Sequence, residues 1–363
     1  MESDRSLCQA GTPKGEADLL LLVRIVNFPQ LWDAYGDPLR SELNNVVSQQ
    51  VEALSLRRLP HAVPGEYVFV HKSFDGVDAQ DLLCEKINAC LSFGPIVCDE
   101  AEAYLQVDTA VIRRIENGLS NEMATAGLTV LPFHALHNER LRRRKAYRSY
   151  MLSALSVYSQ LTARRICLAF EPVVPNGSEP DPIYWKSSLR RLLDSDFYLH
   201  VDCKEHMMAL ESLGLTERLD RSALTTILDL LSDRDQVRIG YRVSTISLKF
   251  SGWWRLFFRD LKNRPDIAAR LIIEVCEDRV MGRDEEAITL LRTLRILGCK
   301  IAVVDVGLRD STFDLLARLK PDFISINIKG LREQEGRFSQ SSENTYHGLM
   351  QFCSQLRTCV MTQ

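Results

Sequence analysis

No CxxC pair occurs in the 363 residues, although ten cysteines are present. The nearest repeats, Cys84/Cys90 and Cys353/Cys359, lack the spacing of a structural zinc site. Reduced, mostly buried thiols are expected, with no disulfide framework. Long apolar runs are also missing. The most hydrophobic stretch, Leu19 to Val26, is short and interrupted by Arg24, and Met1 to Glu16 is too polar for a signal peptide. A cytoplasmic chain that neither spans a membrane nor is exported is the expectation. Charge of one sign is scarce as well. The 45 basic and 48 acidic side chains leave a net −3, so no global field draws the chain to nucleic acid or to an anionic membrane, and neither is expected as a partner. No tandem repeat or low-complexity tract appears.

What is present is ordinary globular material. The 45% hydrophobic and 26% charged content sits near the average for folded soluble proteins, and the length suits two domains. After a tail over 1–16, Leu19 to Val26 reads as a buried strand, and Arg40 to Leu54 carries Leu43, Val46, Val47 and Val51 at helical spacing. A second strand surrounds Phe69, and Ala79 to Leu91 returns to helix. This α+β unit is placed at 17–117. The stretch 118–165 reads as a helical connector holding Arg140, Arg142, Arg143, Arg144, Lys145 and Arg148, a run expected to be a solvated helix face rather than a nucleotide or nucleic-acid site.

From 166 to 363 short β-branched runs alternate with amphipathic helices, the pattern of a sheet built from βαβ units. The runs are Ile166 to Phe170, Arg238 to Ser247, Leu271 to Val275, Lys300 to Asp305 and Phe323 to Ile326. Helical segments lie between them at Thr216 to Leu231, Asp284 to Leu297 and Ser311 to Leu319. Strict alternation predicts an α/β, TIM-like (β/α) barrel, with any chemistry at the C-terminal strand ends near Glu171, Glu274 and Asp305.

Those strand ends carry a family resemblance. Phe170-Glu171-Pro172-Val173-Val174 resembles the opening Tyr-Gln-Pro-Ile-Val of EAL domains, the cyclic-di-GMP phosphodiesterases of bacterial signal transduction. Leu271 to Glu277 is similar to their Leu-Glu-Ile-Thr-Glu strand, Ile301 to Gly307 to their Ile-Ala-Val-Asp-Asp-Phe-Gly, and Lys320 to Asn327 to the Pro-Asp-Tyr-Leu-Lys-Ile-Asp that follows. The unit at 17–117 resembles an eroded GGDEF domain, the diguanylate cyclase module: Val63-Pro64-Gly65-Glu66-Tyr67 stands at the signature, and Arg24 and Val26 at two aspartate positions. A cyclase needs carboxylates for its cations and a glycine turn for its substrate, and Arg24, Val63 and Pro64 remove both.

The resemblance implies two divalent metals that activate a water against a phosphodiester. Lys186-Ser187-Ser188-Leu189-Arg190 aligns with Glu-Ala-Leu-x-Arg, so Lys186 stands at a metal-binding glutamate. Thr245 stands at an asparagine, Val304 at the first of two aspartates, Ser325 at the catalytic lysine and Asn327 at a further aspartate. Glu274 and Asp305 remain as carboxylates, with Arg190, which in the family holds a phosphate, while Glu171 replaces a nucleotide-contacting glutamine. A unit-charge pair at about 4 Å is worth roughly 4 kcal/mol at an effective dielectric near 20, so a lysine in place of a carboxylate is a large loss of metal affinity. Ser325 supplies no general base. The expectation is a pseudoenzyme with no catalytic residue, no metal and no cofactor. It would act on another protein or a second copy through its barrel, with cyclic-di-GMP possible as a ligand but disfavoured because Glu171 repels phosphate. A non-hydrolytic cyclic-di-GMP effector and a residual phosphodiesterase are the alternatives.

Three further expectations concern single features. Lys186 is expected either to neutralise Glu274 and Asp305 as a built-in cation or to swing out to solvent. Gln363 aligns with a glutamate beyond the next-to-last strand, which predicts a barrel left open, covered by a partner, or truncated at this edge. Trp253, Trp254, Phe257 and Phe258 lie at helical spacing and are expected mostly in the core, with exposure of two of them marking a protein-binding patch. His200 and His206 have no ligand-like neighbours and are given no role.

Overall fold

Strand β1 (Leu19–Ile25) sets the first sheet through simple alternation: Leu21, Val23 and Ile25 are buried, while Arg24 between them is exposed. The computed structural model describes residues 19–52, 54, 56–61, 63–71, 77–98, 101–112, 133–174, 181–193, 196–202, 204–276, 285–306, 312–326, 340–356 and 358–362. In this sheet β1 lies between β3 (Glu66–His71) and β6 (Val107–Ile112), antiparallel to both, with the short edge strand β2 (Arg57–Leu59) beside β3. Helices α1 (Phe28–Tyr35), α2 (Asp37–Glu52) and α3 (Val77–Ser92) cover it. The four-residue spacing of Leu39, Leu43, Val47 and Val51, and of Leu83, Ile87 and Leu91, turns one stripe of α2 and of α3 into the core. A small hairpin, β4 (Ile96–Cys98) with β5 (Ala101–Ala103), precedes β6.

The stretch read as a connector holds the long helix α4 (Phe133–Thr162), and part of it is structural. Met151, Ala154, Val157 and Tyr158 enter the same core as β1 and α2, joined by Leu210 and Leu213 from α5 (Lys204–Leu213). The basic run is only partly an exposed face. Arg142, Arg143 and Lys145 are exposed, but Arg144 pairs with Asp33 at 3.1 Å and Arg148 donates to the Ala34 carbonyl.

The second sheet departs from strict alternation at its start. β7 (Ile166–Val173) and β8 (Tyr184–Leu193) form an antiparallel pair, and β9 (Asp196–Asp202) pairs antiparallel on the other side of β8. From there the expected order holds. β10 (Ile239–Arg242), β11 (Leu271–Cys276), β12 (Lys300–Val306), β13 (Phe323–Ile326) and β14 (Cys359–Thr362) run parallel to β8 and to one another in sequence. Helices α6 (Glu217–Asp233), α7 (Gly252–Asn263), α8 (Pro265–Ala268), α9 (Glu285–Ile296), α10 (Thr312–Leu319) and α11 (Gln340–Leu356) alternate with these strands. The expected strand Arg238 to Ser247 is shorter, because after Arg242 the chain enters a 3-10 turn at Thr245–Ser247. The buried Asp220 carboxylate on α6 causes this. It takes hydrogen bonds from the Ser244 backbone N–H (3.1 Å), the Ser247 hydroxyl (2.6 Å) and the Tyr241 hydroxyl (2.8 Å), which curls the segment around it.

Side-chain parity gives this sheet two faces. Leu271, Ile273 and Val275 of β11 pack outward with Ile301 and Val303 against the helices, and Trp254 and Phe257 of α7 join them. Trp253 and Phe258 are half-buried against the same cluster, so the aromatic quartet belongs to the core, as its spacing indicated. The opposite parity points inward: Tyr184, Ile272, Ala302 and Met361 form a small inner cluster with Val173 and Phe323. Residues from both ends of the strand order meet there, so the sheet curves around them. Seven cysteines, Cys84, Cys90, Cys167, Cys276, Cys299, Cys353 and Cys359, form no disulfide, and Cys84, Cys299 and Cys353 are buried.

Candidate functional site

The inward parity continues from that cluster to the strand ends. Lys186 and Ser188 follow Tyr184 on β8, Arg242 follows Gly240 on β10, Glu274 and Cys276 follow Ile272 on β11, Val304 follows Ala302 on β12, and Ser325 follows Phe323 on β13. The parallel register places Lys186 beside Gly240, Arg242 beside Glu274, Glu274 beside Ala302, and Cys276 beside Val304. Most sequence-predicted site positions therefore share one end of one curved sheet. Thr245 sits in the 3-10 turn after β10, while Asn327 and Gln363 lie outside the described residues.

Glu274 is wholly buried, and its Oε1 accepts a 2.8 Å hydrogen bond from the Tyr184 hydroxyl. Burial, followed by the adjacent Glu274 carboxylate, pushes the Tyr184 phenol far above its ordinary range, so the phenol keeps its proton and acts as a donor. Among the described residues Glu274 Oε2 has no hydrogen-bond partner. Gly240 makes this arrangement possible. A Cβ there would lie 2.5 Å from the Tyr184 ring and 3.2 Å from Glu274 Oε1.

Asp305 stands at a left-handed φ of 60° beside a register shift between β12 and β13, a conformation that Asp tolerates better than most residues. Its Oδ2 lies 3.3 Å from the Arg242 guanidinium and 3.6 Å from the Cys276 thiol. Lys186 makes no ion pair with Glu274 or Asp305 among the described residues, and the two carboxylates are served by Tyr184 and Arg242 instead. The built-in cation expected at Lys186 is thus found at Arg242, one strand over, because register puts Arg242 alongside Glu274 while Lys186 lies alongside Gly240.

The remaining positions behave differently. Ser325 is buried with a hydroxyl that has no partner among the described residues, and Val304 is buried. On the neighbouring hairpin Arg190 donates to Glu171 at 3.1 Å, so a carboxylate occupies the arginine that the resemblance assigns to phosphate. In the N-terminal unit Arg24 pairs with Glu66 at 2.8 Å, and His61 approaches Glu66 at 3.2 Å. Burial raises the Glu66 carboxyl, but Arg24 and His61 outweigh it and hold the group below its usual range. Gly65 takes a φ of 80° under the Phe28 ring, which fills the space above the turn.

Two divalent ions need several converging oxygen ligands. Here one carboxylate is held by a phenol and the other by a guanidinium, with Lys186, Val304 and Ser325 around them. Among the described residues no three His, Cys, Asp or Glu side chains converge. This donor set does not fit a two-metal centre.

The EAL domain family matches residues 155–358. This chain belongs to the EAL domain family. This EAL protein has the fold of the S helix–GGDEF–EAL portion of LapD from Vibrio cholerae. The apo form is matched over 96% of this chain and 83% of that one, at 10% identity and a TM-score of 0.51. The form bound to c-di-GMP is matched over 96% and 84%, at 10% identity and a TM-score of 0.53. The EAL domain of FimX from Pseudomonas aeruginosa bound to c-di-GMP is matched over 58% of this chain and 84% of that one, at 20% identity and a TM-score of 0.49. No curated protein matches the chain. The likeness to LapD extends to a GGDEF-like region ahead of the EAL domain. No described helix is long and apolar enough to cross a membrane.

Three residues of this site escaped sequence reasoning: Tyr184, Gly240 and Arg242. Tyr184 and Arg242 share the inward parity of Lys186 and Glu274, so strand alternation extended by two residues could have flagged them. Nothing in the sequence could have shown which carboxylate each one meets.

Proposed function

We propose that this protein is a non-hydrolytic EAL-family regulator in cyclic-di-GMP signalling that acts through contacts with another protein or with a second copy. One observation carries the reading: the two carboxylates retained at the strand ends, Glu274 and Asp305, are engaged by Tyr184 and Arg242 of the same chain. A metal ion would have to displace a guanidinium from Asp305 and accept Lys186 where the family has a ligand, and each of these opposes it electrostatically. We propose accordingly that the barrel binds no divalent metal. The Glu171–Arg190 pair supports weak or absent nucleotide binding, because a phosphate arriving at Arg190 must compete with a carboxylate already there. The LapD structure solved with c-di-GMP keeps a ligand-binding, non-cutting role as the second reading.

Isothermal titration of the full chain with cyclic-di-GMP, with and without magnesium or manganese, separates the readings when paired with chromatography of the products. The expected outcome is no binding heat and no linear dinucleotide. Micromolar binding without product would replace the proposal with the effector reading, and metal-dependent linear product would refute it.

A further inference from the structure

A second feature has no counterpart in the barrel mouth. A cavity of about 650 Å³ lies where the N-terminal core meets the barrel, a volume within the ordinary range of small-molecule sites. Its walls come from both units: the end of α3 with Phe93, the segment Tyr104–Val107, the C-terminal end of α4, the first turns of α6, and Trp253 of α7. Four aromatic residues line it, Phe93, Tyr104, Tyr158 and Trp253.

Three arginines face one glutamate in this lining. Arg221 is balanced, because it pairs with Glu85 and, at 2.6 Å, with Glu217. Arg218 and Arg164 have no carboxylate partner among the described residues. The Arg218 guanidinium is held between two rings, 4.9 Å from the Phe93 centroid and 4.7 Å from that of Tyr158, and donates to the Phe93 carbonyl at 2.5 Å. A side-chain hydrogen bond joins it to Tyr104 as well, and the ring contacts fix its plane without using the remaining N–H groups, which stay available to a ligand.

Arg164 is placed at a conformational cost. It is the residue after the last turn of α4, at φ 56°, and the bonds from its N–H to Leu161 and from Arg165 N–H to Gln160 close the helix end in the geometry that glycine normally serves. An arginine in that conformation puts a cation at the cavity edge where glycine would leave none. On the facing wall Gly214, at φ 68°, leaves room for the Gln106 amide, which would lie 2.8 Å from a Cβ at that position. Stacking surfaces, two guanidiniums without a described carboxylate partner and a side-chain amide are the donor set for a ring that carries an anion.

We propose that this junction cavity binds a small aromatic anion of mononucleotide size, its ring against the aromatic wall and its phosphate or carboxylate on Arg218 and Arg164, so that one ligand touches both units. The site is separate from the barrel mouth, and the proposal stands whether or not cyclic-di-GMP binds there. The test is calorimetric titration of the full chain with 5′-GMP, with guanosine and with inorganic phosphate. Binding of 5′-GMP with Kd on the order of 1 mM or below is expected, with guanosine and phosphate each at least about tenfold weaker. Arg164→Gly removes the charge and suits the left-handed position, so it should weaken 5′-GMP about fivefold or more while the melting temperature holds or rises. Phosphate binding as tightly as 5′-GMP, an affinity unchanged by Arg164→Gly, or no heat from any probe would overturn the proposal.

Discussion

Replacing Tyr184 with Phe removes one oxygen atom and tests the account of the barrel interior most directly. The ring is 2% exposed and Glu274 is 0% exposed, so water cannot take over the donor role when the hydroxyl is deleted. Among the described residues Glu274 Oε2 already lacks a partner, and the substitution strips the 2.8 Å bond from Oε1 as well. A hydrogen bond to a charged group is worth about 1.5–3 kcal/mol, and an acceptor left bare in the interior costs an amount of the same order. Tyr184→Phe should therefore destabilise the chain by about 2–3 kcal/mol. In urea, with a slope near 2 kcal/mol/M or somewhat more for a chain of this size, the midpoint should fall by about 1 M. Glu274→Leu in the Tyr184→Phe background should recover most of this, since the group needing the hydroxyl is then gone, and the double-mutant cycle should give a coupling above about 1 kcal/mol. A loss below about 0.5 kcal/mol for Tyr184→Phe, or additive effects within that margin, would refute the claim that Tyr184 serves Glu274.

Two further perturbations follow from the same geometry. Gly240→Ala places a methyl group 2.5 Å from the immobile Tyr184 ring, an overpacking worth about 1–3 kcal/mol, and calorimetry should show a melting temperature several degrees lower. Tyr184→Leu in that background should restore part of the loss by clearing the space. Burial pushes the Asp220 carboxyl from 3.8 up to about 7, outweighing the hydrogen bonds from Ser247, Tyr241 and Ser244. The folded state then holds a proton that the unfolded chain has released. This group's contribution is fully present below the unfolded value of 3.8, declines as pH rises, and is lost above about 7, a span worth at most about 4 kcal/mol. Urea midpoints at pH 5 and pH 8 should differ more for the native chain than for Asp220→Ala, and equal differences would show that Asp220 does not titrate in this window.

Much of the fold was legible because it depends on local pattern. The apolar run from Leu19, the leucine spacing of α6 and α9, and the β-branched runs at Leu271 and Lys300 each report local burial, which short-range geometry fixes. The motif order likewise placed Glu274 and Asp305 toward strand ends. The antiparallel start of the second sheet was not legible, since a strand reads the same whichever way its neighbour runs. The role of α4 was equally hidden, because a helix rich in arginine at one end looks solvated until Met151, Ala154 and Tyr158 are seen entering a core.

The sequence by itself determined that this is an EAL-type chain with lysine, valine and serine where the family has ligands and base, since substitution at a motif position is a fact of the linear chain. Only the tertiary structure decided what became of the carboxylates left behind. Lys186 and Arg242 are equally cationic on paper, and one strand of register selects Arg242 for Asp305, while the inward parity of Tyr184 brings a phenol to Glu274 across 90 residues of sequence. Ion pairs and hydrogen bonds form over a few ångströms, and only the folded sheet sets those distances.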